Sequence, residues 1–554
     1  MCKSFLLAAA ILLGSVQAQN SNLEELFSRW DQNEIKPGVA VAITYKVETI
    51  LRKTAGYANL EYNIPLDENS VFDLASLAKQ FTGLAIAQLI LDEELQLDDQ
   101  VADYFPELPI LKNIQVKHLL YHSSGLRDIA ELFDLAYMGE QFTSKEALTL
   151  VSLQRELNFP VGTESDYSNT NYVILAKLVE KVSGMPFREW CKTHIFSPLG
   201  MNNSFSNDNP FELVDNRAVA YYASEDGYSY QQNNGMALIG SSAVYSTLED
   251  MRIWLDALEN DKVFPEAFQL MKQKGKLDNG QEIGYGFGLG IGEFQGKSMI
   301  DHTGGTPSGF RTLIAVFPDL SLSFVVLSNL GDIDPIRDFG MGILSNYVSP
   351  PQEEQQTPPP AETSENAIVL SEESLNKMLG EYLFNKEMKV VIRKKESGLT
   401  VQLEGQPEVP VAPISETVLD LSAIGSTLHF MEEKEGRFQK AEVRSGARKE
   451  GELSRFSVEK EKAQADLASY QGMYFCEELG ISWTFSVSDE KLMIENTKGG
   501  QVFLAGKSRE VFIPEAGVAS SLEFTFDEDG FSNGFLLNRG SRLRNLRFNK
   551  LALK

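Results

Sequence analysis

Apolar positions in the first 350 residues follow two periods. Near both ends they form short β-branched runs: Gly38 to Tyr45, Thr49 to Ala55 after a polar turn, Phe310 to Phe317, and Leu322 to Ser328 around the turn Pro318-Asp319. Such runs bounded by turn residues predict strands. Between them the spacing is helical. A long Ala-, Leu-, Ile- and Gln-rich stretch runs from about Ser76 to Asp92. Another covers Asn171 to Ser183, with apolar residues at Val173, Leu175, Ala176, Leu178 and Val179 and a stop at Gly184. Strands at both ends with helices between predict an α+β fold, a sheet whose first and last strands are neighbours.

The pattern breaks at Ser349 to Ser364, SPPQEEQQTPPPAETS, which has five prolines and almost nothing to bury. Such sequence is a semi-rigid spacer. Beyond about residue 370 the chain is strand-rich and internally repeated. Leu375 to Tyr382 (LNKMLGEY) resembles Leu467 to Tyr474 (LASYQGMY), and Leu428 to Phe430 before Gly436 resembles Leu522 to Phe524 before Gly530. Leu453 to Phe456 and Leu546 to Phe548 close the two units, at an offset of about 92 to 94 residues. Each unit reads as a small antiparallel β-barrel. The expected organisation is a signal peptide at 1–18, a catalytic domain at 19–348, a linker at 349–370, and barrel-like domains at 371–462 and 463–554.

Charge narrows the partners. A chain of 554 residues with formal net charge -28 is repelled by nucleic acid and by anionic lipid. Lys3, the apolar run Phe5 to Leu13 and Val16-Gln17-Ala18 form a signal-peptide pattern cut near Ala18, too short to span a bilayer. The expectation is a periplasmic or extracellular protein with no membrane span in the mature chain. Cys191 and Cys476 would remain, neither a disulfide framework nor a zinc site.

Three short motifs carry candidate chemistry. Ser76 and Lys79, in Phe72-Asp-Leu-Ala-Ser-Leu-Ala-Lys79, have the i, i+3 spacing that puts both on one helix face. A buried neutral lysine there can take the serine proton. Ser-x-x-Lys recurs at Ser374/Lys377, Ser457/Lys460 and Ser488/Lys491, but only Ser76 opens a long apolar helix. Tyr167 and Asn169 form a Tyr-x-Asn that also occurs at Tyr57 and Asn59. Tyr167 can shuttle a proton, and Asn169 can hold the lysine or a substrate amide. In Asp301-His302-Thr-Gly304-Gly305 the glycines permit close backbone approach, and a free N–H there can bind an oxyanion.

Ser76-x-x-Lys79, Tyr167-x-Asn169 and His302-Thr-Gly occur in the order of penicillin-binding-protein-like serine hydrolases, a group with class C β-lactamases, D-Ala-D-Ala carboxypeptidases and D-aminopeptidases. Pro37 to Ile43, Val116 to Leu126 and Phe196 to Met201 also resemble it, so the likeness spans roughly residues 25 to 345. The resemblance implies a β-lactamase/transpeptidase-like fold and an acyl-enzyme on Ser76. Lys79 and Tyr167 would share proton transfer, and the N–H groups of Ser76 and Gly305 would bind the oxyanion. It implies no metal and no cofactor. Many relatives carry lysine where this chain has His302. A histidine is mostly neutral near pH 7, which favours D-aminopeptidase- or esterase-like activity on small-molecule or peptide substrates, cell-wall fragments among them. Arg311 is either a substrate-binding cation or a structural ion-pair partner. β-Lactamase or DD-carboxypeptidase activity, and a non-catalytic peptidoglycan-binding sensor, stay as alternatives; the oligomeric state is left open.

Two other patterns are set aside. Gly530-Phe-Ser-Asn-Gly534 matches Gly-x-Ser-x-Gly, but no histidine follows His429, so it reads as a hairpin turn. His118 and His122 lack the glutamate of a zinc helix and are expected to order the loop that ends at Ser124-Gly125.

Overall fold

The computed structural model describes residues 27, 34–136, 142–230, 236–333, 336–348, 370–384, 388–395, 398–403, 408–421, 426–445, 448–455, 467–495, 500–506, 509–515 and 518–551. The expected signal peptide at 1–18 and nearly all of the linker at 349–370 lie outside them, as do Ser457 and Lys460. The chain forms two compact units. Residues up to Val348 make up the body of the first, and the second is built from strands that follow Leu370.

The first unit is centred on a six-stranded antiparallel sheet. Its strands are β1 (Val39–Tyr45), β2 (Glu48–Ala55), β3 (Gly290–Phe294), β4 (Lys297–Gly305), β5 (Arg311–Phe317) and β6 (Leu322–Ser328), in the order β3-β4-β5-β6-β1-β2. The first and last segments of the unit do pair, with Val41 opposite Val326. Asn329 Oδ1 accepts from Gly38 N–H at 2.6 Å and tightens that junction. Alternation sorts the side chains. Val39, Val41, Ile43, Leu313, Phe324 and Val326 face one core, which the helix Ile336–Val348 covers with Phe339, Ile343 and Leu344. The other face is also buried, which is why β5 and β6 read as continuous apolar runs.

The helical region supplies α1 (Ala78–Leu91), α2 (Ile129–Ala136) and α3 (Asn169–Ser183). The stretch read as one helix from Ser76 is in fact a 3₁₀ turn, Ala75–Leu77, leading into α1. α1 is buried on almost every side, as expected for a helix that is apolar all round. Its polar Gln80 is satisfied by Trp254, whose indole N–H donates to Gln80 Oε1 at 2.8 Å. α3 begins two residues earlier than its apolar periodicity indicates and stops at Gly184 in the left-handed region, φ 69°.

The second unit contains two closed eight-stranded barrels, running from Gly380–Phe384 to Arg448–Arg455 and from Gly472–Cys476 to Leu543–Lys550. In each, the last strand pairs with the first. Eight strands leave an interior that side chains can fill. In the second barrel Trp483, Phe485, Phe524, Phe535 and Phe548 fill it. The repeat seen in the sequence has a shared device. Tyr382 and Tyr474 are fully buried, and their hydroxyls donate to the carbonyls of Met378 (2.8 Å) and Tyr470 (2.7 Å). Arg455 and Lys550 lie over the same two rings at 4.7 and 5.5 Å. Each hydroxyl bond contributes about 1 kcal/mol. Tyr474→Phe is therefore expected to lower the opening free energy of amides in 472–550 by about 1 kcal/mol, and Tyr474→Ala by about 3–5 kcal/mol. Hydrogen exchange on the full chain measures both.

Candidate active site

Ser76 sits on a strained turn. Ala75, just before it, has φ +52°, a left-handed conformation that costs a non-glycine residue about 1–2 kcal/mol. Two neighbours hold the turn. Asp73 Oδ1 accepts from Ala75 N–H at 2.8 Å, and Thr312 Oγ1 donates to Leu74 O at 2.9 Å. Burial raises the Asp73 pKa to about 6. β4 passes close by at Gly304, where a Cβ would lie 2.6 Å from Leu74 O and 3.1 Å from the Ala75 Cβ. Glycine is required there by proximity.

Lys79 follows one turn later and is fully buried. Its Nζ lies 2.8 Å from Asn169 Oδ1, 2.8 Å from Ser241 O and 3.2 Å from Ser76 Oγ. The Tyr167 ring lies 4.7 Å from it. Burial drives the Lys79 pKa well below its ordinary value, and the nearby Asp128 carboxylate opposes that shift. Ser241 reaches the amine because the chain turns tightly at Gly240, φ +88°, where a Cβ would meet Tyr172 O at 2.3 Å. Thr82 anchors the turn by donating to Gly240 O.

The loop from His122 to Asp128 sets the start of α3. His122 Nδ1 accepts from Ser168 N–H at 3.2 Å and contacts Asn171 Nδ2 at 3.1 Å. Ser124 Oγ donates to Asn171 Oδ1 at 2.6 Å, and Asp128 accepts from the backbone and the side chain of Asn169. His118 accepts from Gln115 N–H and caps its own short helix. His122 thus serves the loop, whereas the His118 side chain holds the start of its own helix. Tyr167, immediately before α3, has a buried hydroxyl that interacts with Ser76 but completes no well-formed hydrogen bond. Burial raises its pKa, so the phenol keeps its proton.

His302 is a neighbour of this group and not a bonded member. Its Nδ1 lies 2.7 Å from Thr303 O, so Nδ1 carries the proton, and Nε2 accepts from the Tyr285 hydroxyl at 2.8 Å. Burial, helped by the Lys79 charge, lowers its pKa to about 3. Ser76, Tyr167, Asn169, His302, Gly304 and Gly305 all line one cavity of about 560 Å³. Arg311 does not. It lines an adjoining cavity of about 540 Å³, where its guanidinium donates to Thr306 O and Phe310 O, both at 3.0 Å, and so ties the turn between β4 and β5.

The decoy motifs lie elsewhere. Tyr57 and Asn59 form a short strand, with Asn59 Oδ1 accepting from Tyr62 N–H. Lys377 pairs with Glu433, and Lys491 with Glu515. Gly530 to Gly534 includes the turn before the strand Ser532–Arg539. Cys191 and Cys476 are both buried. Among the described residues no helix is long and apolar enough to cross a membrane. Three site residues escape sequence reasoning: Asp128, Ser241 and Tyr285. The only local cue to Tyr285 is the glycine-rich Gly284 to Gly290; Ser241 acts through its backbone, which carries no side-chain signature.

A family profile described as Beta-lactamase matches residues 24–339 of the chain. The chain belongs to the Beta-lactamase family. It is a serine hydrolase, as its relatives in that family are. The hydrolase is 27% identical over 434 residues to "Penicillin-binding protein 4*" of Bacillus subtilis (strain 168), covering 75% of this chain and 94% of that one. It is 27% identical over 455 residues to "D-aminopeptidase" of Gluconobacter oxydans (strain 621H), covering 80% of each. Its fold resembles the octameric penicillin-binding protein homologue from Pyrococcus abyssi, with TM-score 0.53 and 22% identity over 79% of this chain and 99% of that one. It also resembles the D-amino acid amidase from Ochrobactrum anthropi SV3, with TM-score 0.51 and 20% identity over 59% and 98%.

The low His302 pKa sets a pH dependence of stability for this family member. Unfolded, the imidazole takes up a proton as pH falls through 6.5; folded, it resists down to about 3. Stability is lost with acid across that window, and at pH 5 the loss is about 2 kcal/mol for one such histidine. His122, whose pKa burial also lowers, acts in the same direction. The urea midpoint is expected to be lower at pH 5 than at pH 7.5, and His302→Gln to show a smaller drop.

Proposed function

We propose that this hydrolase cleaves amide or ester bonds through an acyl-enzyme on Ser76, and that it is D-aminopeptidase- or esterase-like. The observation that carries the reading is the set of neighbours around Lys79. A neutral amine has two N–H bonds and one lone pair. Asn169 Oδ1 and Ser241 O, both at 2.8 Å, accept the two N–H bonds, which leaves the lone pair for Ser76 Oγ at 3.2 Å. Burial favours that neutral form.

In this scheme Lys79 takes the Ser76 proton as Oγ attacks the carbonyl carbon. The oxyanion develops toward the backbone N–H groups of Ser76 and Gly305. Tyr167, held protonated, delivers a proton to the departing amine or alcohol and is reprotonated from Lys79. Water then attacks the acyl carbon and passes a proton to Lys79, which returns it to Ser76 Oγ as the Oγ–acyl bond breaks and the acid is released. His302 faces the substrate as a neutral group, which suits an uncharged amide or ester better than a free carboxylate. The similarity to proteins called D-aminopeptidase supports that choice. Ala130, Met236 and Leu238 line the same cavity and offer apolar contact to a substrate side chain. Secretion belongs to the same reading: a mature protein cut near Ala18 begins at Gln19.

The test is labelling by a fluorophosphonate, located by peptide mass spectrometry, followed by a panel of D-amino-acid amides, short-chain esters and β-lactams. Label is expected on Ser76, with turnover of amides or esters. Substantial turnover by Ser76→Ala would sink the assignment. Lys79→Ala and Lys79→Arg should both lower kcat by about 10³-fold, since arginine stays protonated and cannot accept the proton. His302→Lys is expected to shift preference toward substrates bearing a carboxylate.

A further inference from the structure

We propose that Asp128 is a positioning residue that decides which end of the Asn169 amide meets Lys79. The inference rests on the Ser76–Lys79 reading and extends it to a residue that does not touch the substrate. Asp128 is fully buried, and it sits just before α2. Its Oδ1 accepts from Ala130 N–H at 2.8 Å, which caps that helix. Its Oδ2 accepts from Asn169 N–H at 2.9 Å and from Asn169 Nδ2 at 2.9 Å, and Oδ1 adds a longer contact to Nδ2 at 3.3 Å.

Both oxygens of Asp128 already accept from backbone N–H groups, those of Ala130 and Asn169, so it presents acceptors to the Asn169 side chain. The NH₂ end of Asn169 must therefore face Asp128, and its Oδ1 must face Lys79. The orientation has a chemical consequence. Were the amide reversed, its NH₂ would point at the amine. It would repel the ammonium form, and in the neutral form it would donate to the lone pair that Ser76 needs. Asp128 thus keeps that lone pair available to the serine. An alanine or serine at position 128 would leave Asn169 free to take either orientation.

The test is a double-mutant cycle of Asp128→Asn, Asn169→Ala and the double variant, using the fluorophosphonate labelling rate and p-nitrophenyl acetate turnover. The amide introduced by Asp128→Asn can both donate and accept, so it no longer dictates the orientation of Asn169. The labelling rate and kcat are expected to fall about 10- to 100-fold, with KM changed less than threefold. Asn169→Ala removes the amide that is to be oriented, so adding Asp128→Asn on that background is expected to change the rate less than threefold. A purely structural role would instead lower the melting temperature and slow the Asn169→Ala variant by the same factor as the wild type. Asp128→Ser, which keeps the helix cap, replaces Asp128→Asn if the latter does not fold and carries the same expectation for rate. Wild-type-like labelling by a folded position-128 variant, or a further fall of tenfold or more on the Asn169→Ala background, overturns the proposal. Failure of the wild type to label at Ser76 instead overturns the proposed function.

Discussion

Lys79 has no contact with solvent, and an amine in that position is stable only if its few polar neighbours match it. Three oxygen atoms surround Nζ, from Ser76, Asn169 and Ser241. They come from parts of the chain separated by 3, 90 and 162 residues. The Ser76 turn, the start of α3 and the Gly240 turn must therefore all be in place before the amine is satisfied. Much of the first unit can be understood as the support for that meeting.

The supports are mostly side chains bonding to backbone. Asp73 and Thr312 brace the turn at Ala75, and the His122 to Asp128 loop fixes the first residues of α3. Such bonds set direction as well as distance. They also explain why a left-handed alanine persists beside Ser76: its strain is small against the burial and bonding that surround it. The six-stranded sheet carries Gly304 and Gly305 to the same place on β4.

His302 and Arg311 show how environment changes what a residue type can do. A histidine in water would carry partial charge near pH 6.5. Here burial holds it neutral, and the Thr303 carbonyl and the Tyr285 hydroxyl fix one tautomer. Arg311 is charged, but its guanidinium donates to the carbonyls of Thr306 and Phe310. Its observed role is to hold a turn. The cavity that contains Ser76 is thus edged by a neutral imidazole.

Sequence alone determined the α+β class, the pairing of the first and last strands and the repeat in the tail, and it singled out Ser76, Lys79, Tyr167, Asn169 and His302 as candidates, which the fold brings together. These were legible because they depend on local periodicity, or on motifs whose order along the chain survives folding. The apolar helix after Ser76 separated one Ser-x-x-Lys from its copies. Only the tertiary structure decided the rest. Asp128 and Tyr285 act through partners 41 and 17 residues away, and no local pattern marks such a pairing. Ser241 contributes a carbonyl, which every residue has, so only its position distinguishes it. The protonation of Lys79 and His302 depends on burial, and burial is a property of the packed molecule.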